Sequence, residues 1–180
     1  RVIRFTSVSK SYGPVRALRD LSLTLQRGEI FGYIGPNGAG KTTTIKILTG
    51  LVRNYRGTVT VDGIDARAED AALFRRIGYL PQDVGFQEWR TVEHALNTFG
   101  RLSGISSTEI SNRIDAALAL TGIEEHRKRR IVHLSGGTVQ RLRLAQAVLH
   151  EPEILVFDEP LSGLDPASRV QVKQIVRELA

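Results

Sequence analysis

The sequence contains no cysteine and no methionine, aromatic residues make up only 6% of it, and its apolar stretches, such as Ile154 to Phe157, are short. Without cysteine there can be neither a disulfide nor a thiolate metal site, which fits a reducing compartment. Without methionine at position 1, where Arg1 stands, the start reads as processed or trimmed. No basic-plus-apolar leader precedes the first strand-like run, so no signal peptide is expected. A helix needs roughly 20 apolar residues to span a bilayer, and no run approaches that. Acidic residues are the scarcer charge, 19 against 25 basic, giving a net charge of +6. That balance fits a solvated basic surface, with polyanions or an anionic membrane face as the other possibility. The run Arg127, Lys128, Arg129 and Arg130 has no interleaved aromatics and makes a poor nucleic-acid site.

A hydrophobic fraction of 41% and a charged fraction of 24% are ordinary for one globular domain. From Val2 to Val8 and from Leu21 to Leu25, apolar and polar residues alternate as in half-buried strands. Thr58 to Val61 repeats the pattern between Gly57 and the turn signal Asp62-Gly63, so an antiparallel sheet is expected near the N-terminus. Ile30 to Ile34 reads as a short strand entering a glycine-rich loop, followed by a helix carrying Ile45, Leu48 and Leu51 that ends near Gly50. Ile77 to Leu80 reads as a strand stopped by Pro81.

Thr91 to His150 is helical in character. Val92, Ala95, Leu96 and Phe99 recur at helical spacing. Ser106 and Glu109 make a capping box for a helix bearing Ile110, Ile114, Ala117 and Leu118. A third helix follows Gly137, with Val139, Leu142, Ala145 and Leu149 on one face. Ile154 to Phe157 is continuous and apolar, as in a central parallel strand covered on both faces. Asp165 then caps a last helix with Pro166 at its first position and a stripe of Val172, Ile175, Val176 and Leu179. The order is α/β with a helical insert, without internal repeats.

The sharpest signal is the run Gly35, Pro36, Asn37, Gly38, Ala39, Gly40, Lys41, Thr42, which has the spacing of a phosphate-binding loop and continues into Thr43. Its glycines let successive N–H groups turn inward around a phosphate, and the helix that follows points its positive end at the same anion. In such a loop Lys41 reaches the β- and γ-phosphates, and the Thr42 hydroxyl binds Mg²⁺. Downstream, the apolar run ends in Asp158-Glu159, at the strand end where α/β sheets place ligand-binding groups. Asp158 suits a Mg²⁺ ligand, and Glu159 suits the base that orients or deprotonates water. Between them, Leu134-Ser135-Gly136-Gly137 opens a helix with Gln140 three positions on. Two glycines weaken a helix start by up to about 1 kcal/mol each, which suggests close approach of an anion to the backbone. That would be a second phosphate site, more than one nucleotide obviously uses.

The order of phosphate loop, Leu-Ser-Gly-Gly helix and Asp-Glu-Pro strand end resembles the ATP-binding cassette (ABC) family over essentially the whole chain. The resemblance implies an α/β P-loop NTPase core with an N-terminal antiparallel β-subdomain and an inserted α-helical subdomain. It implies one nucleotide-binding domain over residues 1–180, with the helical subdomain at about 84–150. By the same likeness Gln82 is the Q-loop glutamine, touching Mg²⁺ and the lytic water, and Ser162-Gly163-Leu164-Asp165 is the D-loop. Tyr12 stands where the family stacks an aromatic on adenine, although a surface tyrosine beside Gly13-Pro14 would look the same. Catalysis would then rest on Glu159, Gln82 and Lys41, with Thr42, Gln82 and Asp158 around Mg²⁺.

The family packs two cassettes head to tail. Ser135, Gly136, Gly137, Gln140 and Asp165 of one would therefore contact the ATP held by the other, in a homodimer or heterodimer. The family's switch histidine lies on a strand beyond the last helix. None of His94, His126, His133 and His150 occupies that position, so the C-terminus is expected to be truncated, and His133 is expected to pack in the helical subdomain. Tyr79 to Phe86, then Thr91-Val92-Glu93-His94, resembles exporter-type stand-alone cassettes that pair with a separate transmembrane permease subunit at the cytoplasmic face of the cell membrane. The implied cofactors are ATP and Mg²⁺, with no nucleic-acid partner. The alternative is a soluble cassette ATPase in translation or DNA maintenance. The spacing from Lys41 to Ser135 leaves no room for the long coiled coil of chromosome and repair ATPases. Phe86 and Trp89, in the segment from Asp83 to Glu93, either pack locally or line a groove for a short helix of the membrane subunit.

Overall fold

A computed structural model of the chain describes residues 2–68, 71–82 and 85–179. Arg1, Asp83, Val84 and Ala180, which figure in the sequence reading, lie outside the described residues. Two compact units divide the chain, residues 1–74 and 75–180.

The first unit is built on an antiparallel sheet. Strands β1 (Ile3–Tyr12), β2 (Val15–Leu25), β3 (Arg56–Val61) and β4 (Ile64–Asp65) lie in the order β2-β1-β3-β4. The expected alternation sets the register, with Phe5 opposite both Leu23 and Val59, and Ile3 opposite Leu25 and Val61. Phe5, Val8, Val59 and Val61 are buried, so one face of the sheet is apolar and the intervening residues face outward. Helix α1 (Lys41–Leu48) buries Thr44, Ile47 and Leu48. Leu51, expected on that stripe, stands 63% exposed because the helix has already ended at Thr49 and Gly50.

One expectation fails here. Ile30 to Ile34 forms no strand, and Ile30 and Ile34 are 80% and 93% exposed. A short apolar run becomes a strand only when a ladder accepts its N–H and C=O groups, and among the described residues neither sheet pairs with this one. The phosphate loop is thus followed by a helix, as expected, but not preceded by a strand.

A short helix, α2 (Ala71–Arg76), which the sequence reading did not anticipate, carries the chain across the boundary. In the second unit, β5 (Ile77–Leu80) and β6 (Ile154–Phe157) pair in parallel, Ile77 opposite Ile154 and Leu80 opposite Phe157. β6 was expected to be a central strand covered on both faces. Among the described residues it pairs with β5 alone, and Val156 is its one buried residue.

Between these strands run α3 (Val92–Leu102), α4 (Ile110–Thr121) and α5 (Gly136–Val148), and after them α6 (Pro166–Glu178). The caps follow the expected chemistry. Thr91 accepts from His94 N at 3.2 Å, Ser106 from Glu109 N at 3.3 Å and Asp165 from Ser168 N at 3.0 Å. The Glu109 carboxylate accepts from the Ser106 hydroxyl at 2.6 Å rather than from the Ser106 N–H, so only half of the expected capping box forms, in the turn just before α4. Val92, Leu96, Ile114, Leu118 and Leu142 fuse α3, α4 and α5 into one apolar core. Arg127 locks the rim of this core, donating from Nε to Glu93 at 3.0 Å and from Nη1 to Asp115.

Candidate functional site

In the first unit the loop from Gly35 to Thr43 is shaped by two glycines in the left-handed region, Gly38 (φ 82°) and Gly40 (φ 87°). Gly40 has a second reason to be glycine, since a Cβ there would collide with Ala17 O and the Leu18 side chain on β2. Ala39 N donates to Pro36 O at 3.1 Å, closing the turn. The Lys41 ammonium donates to Gly35 O at 2.7 Å and Pro36 O at 3.1 Å, so it lies over the loop it belongs to. The first N–H groups of α1 lack intrahelical acceptors, which is what makes a helix start attractive to an anion. Tyr12 ends β1 opposite Val15, on the same β2 that abuts Gly40, and is 46% exposed. The Lys10 ammonium sits 4.8 Å from its ring centroid.

In the second unit β5 and β6 deliver the carboxylates. Asp158 N continues the ladder, donating to Leu80 O at 2.9 Å, and its side chain is drawn inside, 3% exposed. Asp158 Oδ2 is buried and makes no hydrogen bond. A buried, unpaired carboxylate oxygen is costly unless a cation meets it, so this site fits a hard divalent ion. Nearby, the Tyr79 phenol is pushed up to about 12, by burial first and then by the Asp158 charge.

Glu159 follows in the left-handed region (φ 50°), a conformation that a residue with a Cβ adopts only when its surroundings hold it there. Ser162 N closes the turn onto Glu159 O at 3.0 Å. The carboxylate itself is exposed, and Gln82 Nε2 donates to its Oε2 at 3.3 Å. The structure thus brings Gln82, Asp158 and Glu159 together at the ends of two parallel strands. Lys41, Thr42 and Tyr12 belong to the first unit.

At the start of α5, Ser135 Oγ accepts from Thr138 N at 3.2 Å and shares a 2.9 Å hydrogen bond with Thr138 Oγ1. Ser135 and Gly136 are exposed, and nothing lies within 4 Å of where a Gly136 Cβ would be. Gly137 differs: it is buried, and a Cβ on it would run into Ser168 Oγ on α6. Its lack of a side chain answers intrachain packing. Gln140 is also buried, its Nε2 donating to Pro160 O at 2.8 Å. Asp165 is exposed, and bonds from the Ser168 hydroxyl (2.5 Å) and N–H hold its carboxyl below the usual carboxylate range. His133, expected to pack internally, is exposed, because the short 3₁₀ turn that contains it buries Ile131 instead.

The sequence reading missed the inward role of Gln140 and the part played by Ser168. The signal for Gln140 was available: Gly137, Gln140 and Leu144 share one face at 3- and 4-residue spacing, and all three are buried. A polar side chain on such a face must find a partner. The aromatic pair splits. Phe86 packs edge-on against Phe99 at 5.8 Å, while Trp89 is 65% exposed with Arg90 over its ring. Val132, 53% exposed, is tied to the same stretch by a bond from its N–H to Glu88 O.

The family profile described as ABC transporter matches residues 18–162. The chain is 41% identical over 179 residues to the uncharacterized ABC transporter ATP-binding protein YxlF of Bacillus subtilis, covering 99% of this chain and 59% of that one. It is 35% identical over 178 residues to the linearmycin resistance ATP-binding protein LnrL of the same organism, covering 99% of this chain and 57% of that one. Among solved structures it superposes with a TM-score of 0.86 and 26% identity on a dimeric ATP-binding cassette in a post-hydrolysis state bound to ADP and Pi, covering 98% of this chain and 82% of that one. The chain therefore spans somewhat less than three fifths of the length of the two curated relatives.

Proposed function

Since this chain belongs to the ABC transporter family, we propose that it binds Mg-ATP and hydrolyses it to drive transport through a separate membrane subunit. ATP lies with its phosphates on the loop from Gly35 to Thr43, with Lys41 neutralising the β- and γ-phosphates and Tyr12 against the adenine. Glu159 takes a proton from the attacking water, and Gln82, hydrogen-bonded to the same carboxylate, orients that water. Asp158, with Thr42 and Gln82, would hold magnesium, which supplies charge neutralisation on the phosphates.

The observation that carries this reading is the pairing of neighbouring residues with opposite settings. Asp158 is buried with an unpartnered oxygen, and Glu159 is exposed, held in a left-handed turn and touched by Gln82. One carboxylate suits a cation and the next suits a water. The second anion site, at Ser135, Gly136 and Gly137 with Asp165 beside it, meets the ATP of a second cassette, as a head-to-tail dimer requires. The helical block, about residues 84–150, then acts as the moving subdomain, and the exposed Trp89 faces the membrane subunit at the cytoplasmic side of the membrane.

No helix among the described residues is long and apolar enough to cross a membrane. Export is the favoured direction, because the relatives include a resistance system. A role in translation or DNA maintenance has no comparable support. The test is calorimetric titration of the full-length protein with Mg-ATP beside its Lys41→Ala variant. A sharp loss of affinity is expected, and equal affinities would remove the loop from the site.

A further inference from the structure

We propose that Gln140 is a positioning residue for Glu159, coupling the start of α5 to the turn that carries the catalytic carboxylate within one chain. The proposal rests on the assignment of Glu159 as the base. Gln140 is 7% exposed, and both ends of its amide are in use. Nε2 donates to Pro160 O at 2.8 Å, and Oε1 accepts from Arg143 Nη1 at 3.2 Å. The likeness to the cassette family assigned Gln140 to the partner's ATP. A buried amide engaged at both ends within its own chain is set for a different task.

That task follows from what Pro160 is attached to. Glu159 sits at φ 50°, outside the regions an L-residue prefers, and such a conformation persists only when its neighbours restrain it. Upstream, Asp158 N is tied to Leu80 O at 2.9 Å. Downstream, the proline ring fixes φ of residue 160, and Gln140 anchors the carbonyl of the same residue. Ser162 N closes onto Glu159 O. The left-handed residue is thereby restrained on both sides, and the downstream anchor comes from α5.

The same helix face gives the coupling its input. Gly137, one turn before Gln140, packs against Ser168 of α6, while Ser135 and Gly136 reach the surface. From Ser135 to Gln140 is about 7.5 Å along a rigid helix axis. A shift of the exposed helix start, such as an anion pulling on its N–H groups would cause, must move Pro160 or break the 2.8 Å bond. The carboxylate of one chain is thus made to sense what engages its own α5.

Steady-state and single-turnover ATP hydrolysis by the full-length protein, with Gln140→Glu and Gln140→Leu variants, tests this. Gln140→Glu keeps the shape and the Arg143 partner but loses the donor to Pro160 O, so it serves if the leucine variant fails to fold. The expected result is a fall in kcat of about 10- to 100-fold, the order that a misplacement near 1 Å produces, with KM and the Kd for Mg-ATP moving less than about twofold. In a Glu159→Gln background the Gln140 substitutions should lower the residual single-turnover rate no further. Unchanged kcat overturns the proposal, and so does a loss that multiplies onto that of Glu159→Gln. A rise in Kd with kcat kept overturns it in favour of direct nucleotide contact. Full turnover in Glu159→Gln alone instead removes the assignment of the base.

Discussion

Gly137 and Ser168 lie so close that a Cβ built on the glycine would overlap Ser168 Oγ and press on its Cβ at 2.9 Å. This joins the first turns of α5 and α6 and separates the two adjacent glycines by role. Gly137→Ala should lower stability by about 1–3 kcal/mol, as overpacking does. Gly136→Ala meets open space and should leave the folded protein within about 0.5 kcal/mol of wild type. Urea unfolding of the two variants checks this. Equal destabilisation would mean that the α5–α6 contact does not set the choice at position 137. Partial recovery of Gly137→Ala by Ser168→Gly would identify the colliding side chain.

Glu159→Gln preserves shape and loses basicity. In the full-length protein it should keep ATP affinity, lower hydrolysis by about 10²–10⁴-fold and trap an ATP-bound dimer. Phosphate release and size-exclusion chromatography with Mg-ATP check both halves. Turnover within about tenfold of wild type would assign the base elsewhere.

Two groups make stability depend on pH in opposite directions. Burial holds the His150 imidazole below the usual histidine range, despite its 3.2 Å bond to Ile77 O. As pH falls below about 6.5, the unfolded chain therefore binds a proton before the folded one does, and stability declines on the acid side. The Tyr79 phenol, pushed up to about 12, works on the alkaline side. Above about pH 10 the unfolded tyrosine ionises while the folded one stays neutral, so stability declines as pH rises towards 12. Denaturation midpoints from about pH 5 to 11 should fall at both ends. Tyr79→Phe should flatten the alkaline decline and His150→Gln the acid one. Slopes unchanged by these substitutions would mean that other groups carry the effect.

Because these 180 residues hold no cysteine, a thiol introduced among them is the only one in this part of the chain. A cysteine at Trp89 or Gln87 should cross-link to the membrane subunit in the assembled transporter, while one at Phe86, packed on Phe99, should react far less. If neither exposed position cross-links, the docking face lies elsewhere.

Local interactions made much of the protein legible. The alternation in β1, β2 and β3 requires only that one face of a sheet be apolar, and the side-chain bonds at Thr91, Ser106, Ser135 and Asp165 each reach an N–H three residues on. The phosphate loop is written in residues that touch one another. The adjacency of Asp158 and Glu159 is fixed by the chain itself, so their candidacy could be read before their surroundings were known.

What tertiary structure alone decided were the features that depend on partners distant in sequence. Whether Ile30 to Ile34 becomes a strand depends on which edge is free to accept it, and apolar composition cannot state that. His133 was read as buried and is exposed, because a three-residue turn can bury only some of its side chains, here Ile131. Gly136 and Gly137 look alike in sequence, yet one faces open space and the other Ser168, distant in sequence. Gln140 shows the same limit most clearly. Its spacing from Gly137 and Leu144 is compatible with an inner face, but only the packing of α5 against the end of β6 could choose Pro160 as its acceptor. Chain neighbours determine local conformation through short-range sterics and capping. Long-range partners determine what each exposed donor or bare glycine is for.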